Sequence, residues 1–269
     1  MTLMEFGLFW SAWWPALPVL VVVVTLLWLI SLPLKNVSII DIFWGMGFVI
    51  ASVAYWATTE EGSPRRFLIL CLVAAWGLRL SLYIYWRNAG HGEDFRYAKF
   101  REDFGSGYWW YSYFSVFLLQ GVLVWIISPP LLGSMLTASN PEAAELNGLD
   151  LLGVLVWTIG FVFEAGGDFQ MARFKANPKN RGKVCDTGFW RYTRHPNYFG
   201  DSAVWVGYTL ICFAGGMYWP ILSALLMIAL IIKVSGVMLL EKTLVETKPQ
   251  YREYIERTSA FLPWPPKRR

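Results

Sequence analysis

The chain is poor in charge. Only 16% of its 269 residues are Asp, Glu, Lys or Arg, against 56% hydrophobic ones, and its mean hydropathy is +0.42. That leaves too little polar surface to clothe a water-soluble globule. Histidine is scarcer still: His91 and His195 are the only two, which excludes a site built on several histidines but leaves a carboxylate-rich one open. The cysteines, Cys71, Cys185 and Cys212, show no CxxC spacing, so neither a disulfide framework nor a zinc ribbon is expected. No metal is assigned. The opening MTLMEFGLFW lacks the basic region and the small-residue cleavage site of a signal peptide, and the first apolar segment is expected to be retained. Internal repeats, low-complexity stretches and domain linkers are also missing.

Aromatic and apolar residues are abundant instead. Sixteen tryptophans suit a protein that has two membrane–water interfaces to hold. About 20 apolar residues cross a hydrocarbon core, and the runs near 15–34, 39–58, 67–86, 112–137, 149–168, 201–217 and 219–240 meet or approach that length. The expectation is an all-α polytopic membrane protein of about seven spans, forming a single integral domain over 1–269. With the N-terminus outside and the C-terminus cytoplasmic, most of the 23 basic residues fall on the cytoplasmic side. The 137–148 loop, outside in this scheme, holds Glu142 and Glu145 and no base.

Charges inside apolar spans cost about 2.5–3.5 kcal/mol at the bilayer centre and so need a reason. Glu164 and Asp168 stand four apart, on one helical face that Lys175 prolongs if the helix runs on. Lys233 and Glu241 fall on nearly one face of the seventh span. Asn197, Asp201, Trp205 and Tyr208 make a stripe on the sixth. Each taken alone has an ordinary explanation: Lys233 snorkels, Asp201 complements a helix N-terminus, Glu164 pairs with a base. Together they gather at the cytoplasmic ends of spans five to seven, under the most basic loop. Pro196 reads as the first residue of the sixth helix, with His195 near its N-cap, and Arg191 and Arg194 beside it. A helix start among arginines suits an anionic ligand, whether a phosphorylated nucleotide or a lipid headgroup. At the second span, Asp41 opens DIFWGMGF, and Tyr83 and Tyr85 lie in the third. An acid and a tyrosine could move protons at a bound lipid, or could merely cap and anchor. The tail YREYIERTSAFLPWPP reads as an amphipathic helix ending in a Pro-rich stop.

The segments GFWRYTRHPNYFGD, WVGY, KVSGVMLLEKTL and YREYIERTSAFLPWPP resemble a bacterial, DUF1295-like branch of the steroid 5-alpha-reductase superfamily. They are also similar to the sterol C14 and C24(28) reductases, whose motif Arg-His-x-Asn-Tyr-x-Gly-Asp is met by Arg194, His195, Asn197, Tyr198, Gly200 and Asp201. The resemblance runs over roughly 160–266. It implies a bacterial inner-membrane reductase that takes NADPH from the cytoplasm and transfers hydride to a carbon–carbon double bond of a lipophilic, steroid- or isoprenoid-like substrate. Membrane lipids and that substrate would be its partners, with no nucleic acid. The 160–266 part would bind the cofactor through Glu164, Asp168, Lys175, Arg191, Arg194, His195, Asn197, Tyr198, Asp201, Lys233, Glu241, Tyr251 and Arg252. The steroid reductases polarise the substrate carbonyl with a Gln-Glu pair on the second span and a Tyr on the third. Here only Asp41 stands at the start of the second span, with Tyr83 or Tyr85 on the third, and these three are the candidate catalytic residues.

Isoprenylcysteine carboxyl methyltransferases and phospholipid methyltransferases share part of this pattern, through Arg194, His195, Pro196, Tyr198, Gly200, Glu241 and Tyr254. They bind S-adenosylmethionine, which is the alternative reading. Asn197 and Asp201 complete the reductase form of the motif, while the doubled Glu of the methyltransferases is Leu240-Glu241 here. A transporter or lipid scaffold would be expected to show repeats and midplane sites, and fits least.

Overall fold

The computed structural model describes residues 3–59, 63–136, 145–233, 241 and 244–267. All regular structure among them is helical. In chain order the α-helices are α1 (Leu3–Trp13), α2 (Ala16–Leu34), α3 (Phe43–Thr58), α4 (Pro64–Asn88), α5 (Phe95–Phe104), α6 (Tyr108–Ser112), α7 (Leu119–Ile127), α8 (Pro129–Met135), α9 (Gly148–Ala176), α10 (Pro196–Ala214), α11 (Ile221–Lys233) and α12 (Tyr251–Arg257). A 3₁₀ turn, Val37–Ile42, leads into α3, and a π turn, Tyr113–Leu118, joins α6 to α7.

Five continuous helical stretches are long and apolar enough to cross a membrane: Phe6–Leu34, Val37–Thr58, Pro64–Asn88, Phe95–Met135 and Gly148–Ala176. They mark an integral membrane protein. The sixth expected span falls on α10, of 19 residues. The seventh begins as α11, of 13 residues, and its remainder at 234–240 lies outside the described residues.

The chain divides into two compact units, one of Met1–Asn147 with Ile211–Ser223, the other of Gly148–Leu210 with Ala224–Arg269. In the first, α3 and α4 cross backbone to backbone. A Cβ on Gly45 would stand 2.2 Å from the Gly77 carbonyl oxygen, so neither helix tolerates a side chain there. Lipid tails give helices no hydrophobic reason to associate, and such small-residue contacts supply the van der Waals packing instead. Trp76, Phe48, Leu20, Ile40 and Phe117 fill the surrounding core. Tryptophans cluster at two levels of α1–α2. Trp13 and Trp125 stack at 4.0 Å and exchange indole N–H bonds to each other's carbonyls at 3.1 Å. Trp28 donates to the Trp109 carbonyl at 3.0 Å. Fifteen residues of helix separate these levels, roughly 22 Å at 1.5 Å per residue, a spacing suited to anchoring near both interfaces.

In the second unit, α9 and α10 meet through glycines. A Cβ on Gly200 would lie 2.3 Å from the Glu164 nitrogen, and one on Gly207 would lie 2.7 Å from the Trp157 Cβ. Gly200 therefore has a packing reason to end the RHPNYFG segment. α9 runs on to Ala176, past the expected end of the span at 168, which meets the condition for Lys175 to prolong the acidic face, and its 29 residues outreach the hydrocarbon core by about two and a half turns. That overhang carries the polar features below.

Candidate functional site

The loop between α9 and α10 is pinned to α9 through the middle of its 3₁₀ turn, Gly188–Arg191. The Phe189 N–H donates to Gln170 Oε1 at 2.9 Å, and the Trp190 indole donates to the Gly167 carbonyl at 3.0 Å. Gly188 adopts φ +60, a left-handed conformation that lets the chain turn back over Gln170. α10 then begins at Pro196, where the missing N–H costs nothing.

Arg194 stands at the centre of a clasp. Its Nε and one terminal nitrogen donate to the two oxygens of Glu241 at 2.7 and 3.1 Å. Its other terminal nitrogen donates to the carbonyls of Thr258 and Ile255 at 2.6 and 3.2 Å, and its backbone N–H to that of Ser259 at 2.9 Å. Sequence reasoning gave this guanidinium to a ligand, whereas here its donors hold the chain's own tail. His195 Nε2 lies 2.9 Å from Glu241 Oε1. Burial raises the Glu241 carboxyl, but the hydrogen bonds from Arg194 and then His195 outweigh it and hold the group below its ordinary value. Burial also pushes His195 down, against the pull of Glu241. An ionised Glu241 beside a neutral imidazole fixes the tautomer, with Nε2–H as donor.

The tail closes the clasp. The Tyr254 hydroxyl donates to the Trp190 carbonyl, Thr193 Oγ1 donates to the Phe261 carbonyl at 2.8 Å, and the Trp264 N–H to Tyr192 at 2.9 Å. Arg257 pairs with Asp186. The amphipathic helix read from the tail is α12, folded over the basic loop. Tyr251 is buried, its hydroxyl pushed up to about 12 chiefly by that burial, while Arg252 is exposed.

Beneath the clasp, Glu164 and Asp168 are 3% and 7% exposed on α9. Asn197 Nδ2 donates to Asp168 Oδ1 at 3.3 Å, so the first turn of α10 meets the acidic face. Tyr198 stacks on His195, centroids 5.5 Å apart. Asp201 is half-buried one turn on, above the fully buried Trp205 and Tyr208. Lys175 and Arg191 are exposed, as is Lys233 at the end of α11. The face expected to join Lys233 to Glu241, and Leu240 with it, passes through residues outside the described set.

An open cleft of about 420 Å³ lies on the overhanging end of α9. Phe169 and Phe174 give it aromatic faces, Arg173 a cation, and Gln170, Asn177, Asn180 and Thr187 neutral polar groups. Cys185 closes one side, its thiol pushed up by burial and so unsuited to act as a nucleophile. None of the site residues expected from sequence lines this cleft. Arg173 was visible only as one more base in the loop, and uncharged amides carry no signal without a fold.

In the first unit, Asp41 accepts from the Tyr97 hydroxyl at 2.6 Å and from Arg96 at 3.1 Å. Sequence reasoning looked to Tyr83 and Tyr85. Tyr85 is exposed, and Tyr83 lies under the Arg87 guanidinium at 5.8 Å. The tyrosine set against Asp41 is Tyr97, which lies 56 residues on and outside the third span.

The family model described as "Protein of unknown function (DUF1295)" matches residues 27–258. An uncharacterized protein of Schizosaccharomyces pombe is 25% identical over 265 residues, covering 88% of this chain and 75% of that protein. The Delta(14)-sterol reductase of Arabidopsis thaliana is 30% identical over 91 residues, covering 29% of this chain and 25% of the plant enzyme. No solved structure gives a significant match.

Proposed function

The chain belongs to the DUF1295 family, and from that premise we propose that it is a membrane reductase. On this reading it uses NADPH to reduce a carbon–carbon double bond of a lipophilic, steroid- or isoprenoid-like substrate, with its cofactor site on the cytoplasmic side. The observation that carries the reading is the cleft at the end of α9, in the same compact unit as the Asn197–Asp168 contact. The likeness to a sterol reductase supports it.

The cleft has the size and the chemistry to take one part of a dinucleotide, a base with its neighbouring phosphate. Its volume lies in the range of small-molecule sites. Phe169 and Phe174 can take a planar base, and Arg173 with the amides of Asn177 and Asn180 can take phosphate oxygens. NADPH, when bound, supplies a hydride. The residues of this chain bind and orient. Asp168 and Asn197 offer hydroxyls an acceptor and a donor at the start of α10, and Asp201 adds a second carboxylate one turn on. The clasp of Arg194, His195, Glu241 and Tyr254 acts one step back, fixing the tail and the loop that carries Cys185 and Thr187.

Arg194, His195, Glu241 and Tyr254 are shared with the methyltransferase pattern, so the clasp does not discriminate between the readings. Asn197 and Asp201 do. Thermal unfolding of the detergent-purified protein with NADPH, NADH or S-adenosylmethionine tests this directly. A ligand at 100 times its dissociation constant adds about 2.7 kcal/mol. Stabilisation by NADPH is expected. Stabilisation by S-adenosylmethionine alone would replace the reading with methyl transfer.

A further inference from the structure

The polar cluster around Asp41 does more than cap helices. The Tyr97 hydroxyl spends its single proton on Asp41 Oδ1, at 2.6 Å. Its oxygen therefore meets its other neighbour, the Gln120 side chain, as an acceptor. That fixes the amide: Nε2 turns towards Tyr97, and Oε1 points away. In that position Gln120 Oε1 is buried and has no hydrogen-bond partner. Buried acceptors are rarely left so, and each one asks for an explanation.

Two neighbouring features bear on the explanation. The π turn Tyr113–Leu118 ends two residues before Gln120, and such turns recur at functional sites because they re-aim the residues that follow. Beside it, Phe114 and Leu119 are 57% and 50% exposed on a stretch apolar enough to cross a membrane. Apolar surface and an unsatisfied acceptor thus lie on neighbouring residues, Leu119 and Gln120. The rest of the cluster is committed and rigid. Arg96 holds the second oxygen of Asp41, Asp94 caps α5, and Glu93 binds both Arg101 and the Val37 N–H.

We propose that Gln120, oriented by Tyr97 and Asp41, is a binding site for the hydroxyl of a lipid alcohol. The unsatisfied acceptor selects a hydroxyl over an ether of the same shape, because only the hydroxyl can donate to the buried oxygen. Asp41 and Tyr97 are positioning residues, acting through the amide. The site lies wholly within the first unit and holds whether or not the chain is a reductase.

Thermal unfolding of the full-length protein in detergent, with an isoprenoid alcohol or its methyl ether, reads the preference. The alcohol is expected to bind about tenfold tighter or more than the ether, as sites built around one hydrogen bond do. Gln120→Leu removes the acceptor and leaves an apolar side chain in its place, so it should fold at least as well as the parent and bind both compounds equally. Asp41→Ala removes the acceptor that holds the Tyr97 proton, lets that proton turn on Gln120, and should narrow the preference without removing it. Equal binding of alcohol and ether by the parent, binding of neither, or an undiminished preference in Gln120→Leu would each overturn the site. Stabilisation by NADPH should be unchanged in Gln120→Leu. Its absence in the parent would end the reductase reading and leave this site standing.

Discussion

Arg194 grips both carboxylate oxygens of Glu241, at 2.7 and 3.1 Å, across 47 residues of chain. The pair ties the loop before α10 to the segment before the tail. The guanidinium then continues into the carbonyls at the end of α12, so one side chain joins three separate parts of the second unit. With the Arg194 side chain only 8% exposed and that of Glu241 19%, the pair lies largely out of solvent.

Breaking one side of such a pair costs more than the pair contributes, because it strands the other charge. Arg194→Ala or Glu241→Ala should each lower stability by about 3 kcal/mol, and the joint replacement Arg194→Met with Glu241→Leu should cost less than either. Denaturant midpoints of the four proteins measure this. Additive losses in the double variant would mean that the two groups do not act together.

The same clasp sets a pH response. Both Glu241 and His195 lie below their ordinary values of 4.5 and 6.5 in the folded protein. A depressed group contributes stability above its unfolded value and loses it as pH falls towards its folded value. Stability should therefore decline in two stages, beginning below about pH 6.5 for His195 and below about pH 4.5 for Glu241. His195→Gln, which keeps a donor for Glu241, should remove the first stage and retain the second. Unfolding midpoints between pH 8 and pH 4 supply the test.

Some of this was legible in sequence because it is local. Pro196 opens α10 for reasons contained in one residue, and helical spacing puts Lys175 on the face of Glu164 and Asp168 once the helix runs that far. What the sequence hid was partnership. A buried arginine beside a helix start looks the same whether it awaits a phosphate or holds a tail carbonyl, and only the fold brings Thr258 to Arg194. Tyr97 sits in a charged segment, FRYAKFRE, outside the apolar spans, where a tyrosine carries no signal of its own. Tyr83 and Tyr85 stand out in sequence because the steroid reductases carry a tyrosine on the third span. Gln120 drew no attention, since a lone amide in a span is ambiguous until its neighbours are known.

Gly200 offers a test of the packing. A methyl group there would stand 2.3 Å from the Glu164 nitrogen, a contact with backbone that no rotamer can relieve. Gly200→Ala should push α10 off α9, at a cost of about 3 kcal/mol or more. It should also loosen the Asn197–Asp168 contact. Helical content by circular dichroism should survive while the unfolding temperature falls. An unchanged unfolding temperature would show that the helices part more easily than their backbone contact implies.

Asn197→Ala and Asp201→Ala separate binding from folding. The Asn197 hydrogen bond to Asp168 is long, at 3.3 Å, so its loss should cost no more than about 1 kcal/mol. Nucleotide binding should suffer far more if these groups meet the cofactor. Stabilisation by NADPH is expected to vanish in both variants, with unfolding temperatures near that of the parent when no ligand is added. Parental NADPH affinity in both would remove them from the site.

Arg173 gives the sharpest test of where the nucleotide binds, because the expected site residues and the cleft are different sets of side chains. It is exposed and lines the cleft beside Phe169, whose ring lies 5.8 Å from the guanidinium. An exposed cation of this kind contributes little to folding, so Arg173→Ala should unfold at the temperature of the parent. A cation that meets phosphate contributes through charge-assisted bonds, and its removal should weaken NADPH binding by about tenfold or more. Raising the salt concentration should weaken binding to the parent more steeply than to the variant, since the variant has lost the screened interaction. If Arg173→Ala leaves NADPH affinity and its salt dependence intact while Asp201→Ala abolishes binding, the nucleotide lies against α10 and not in the cleft. The reverse result would place it on the overhang of α9.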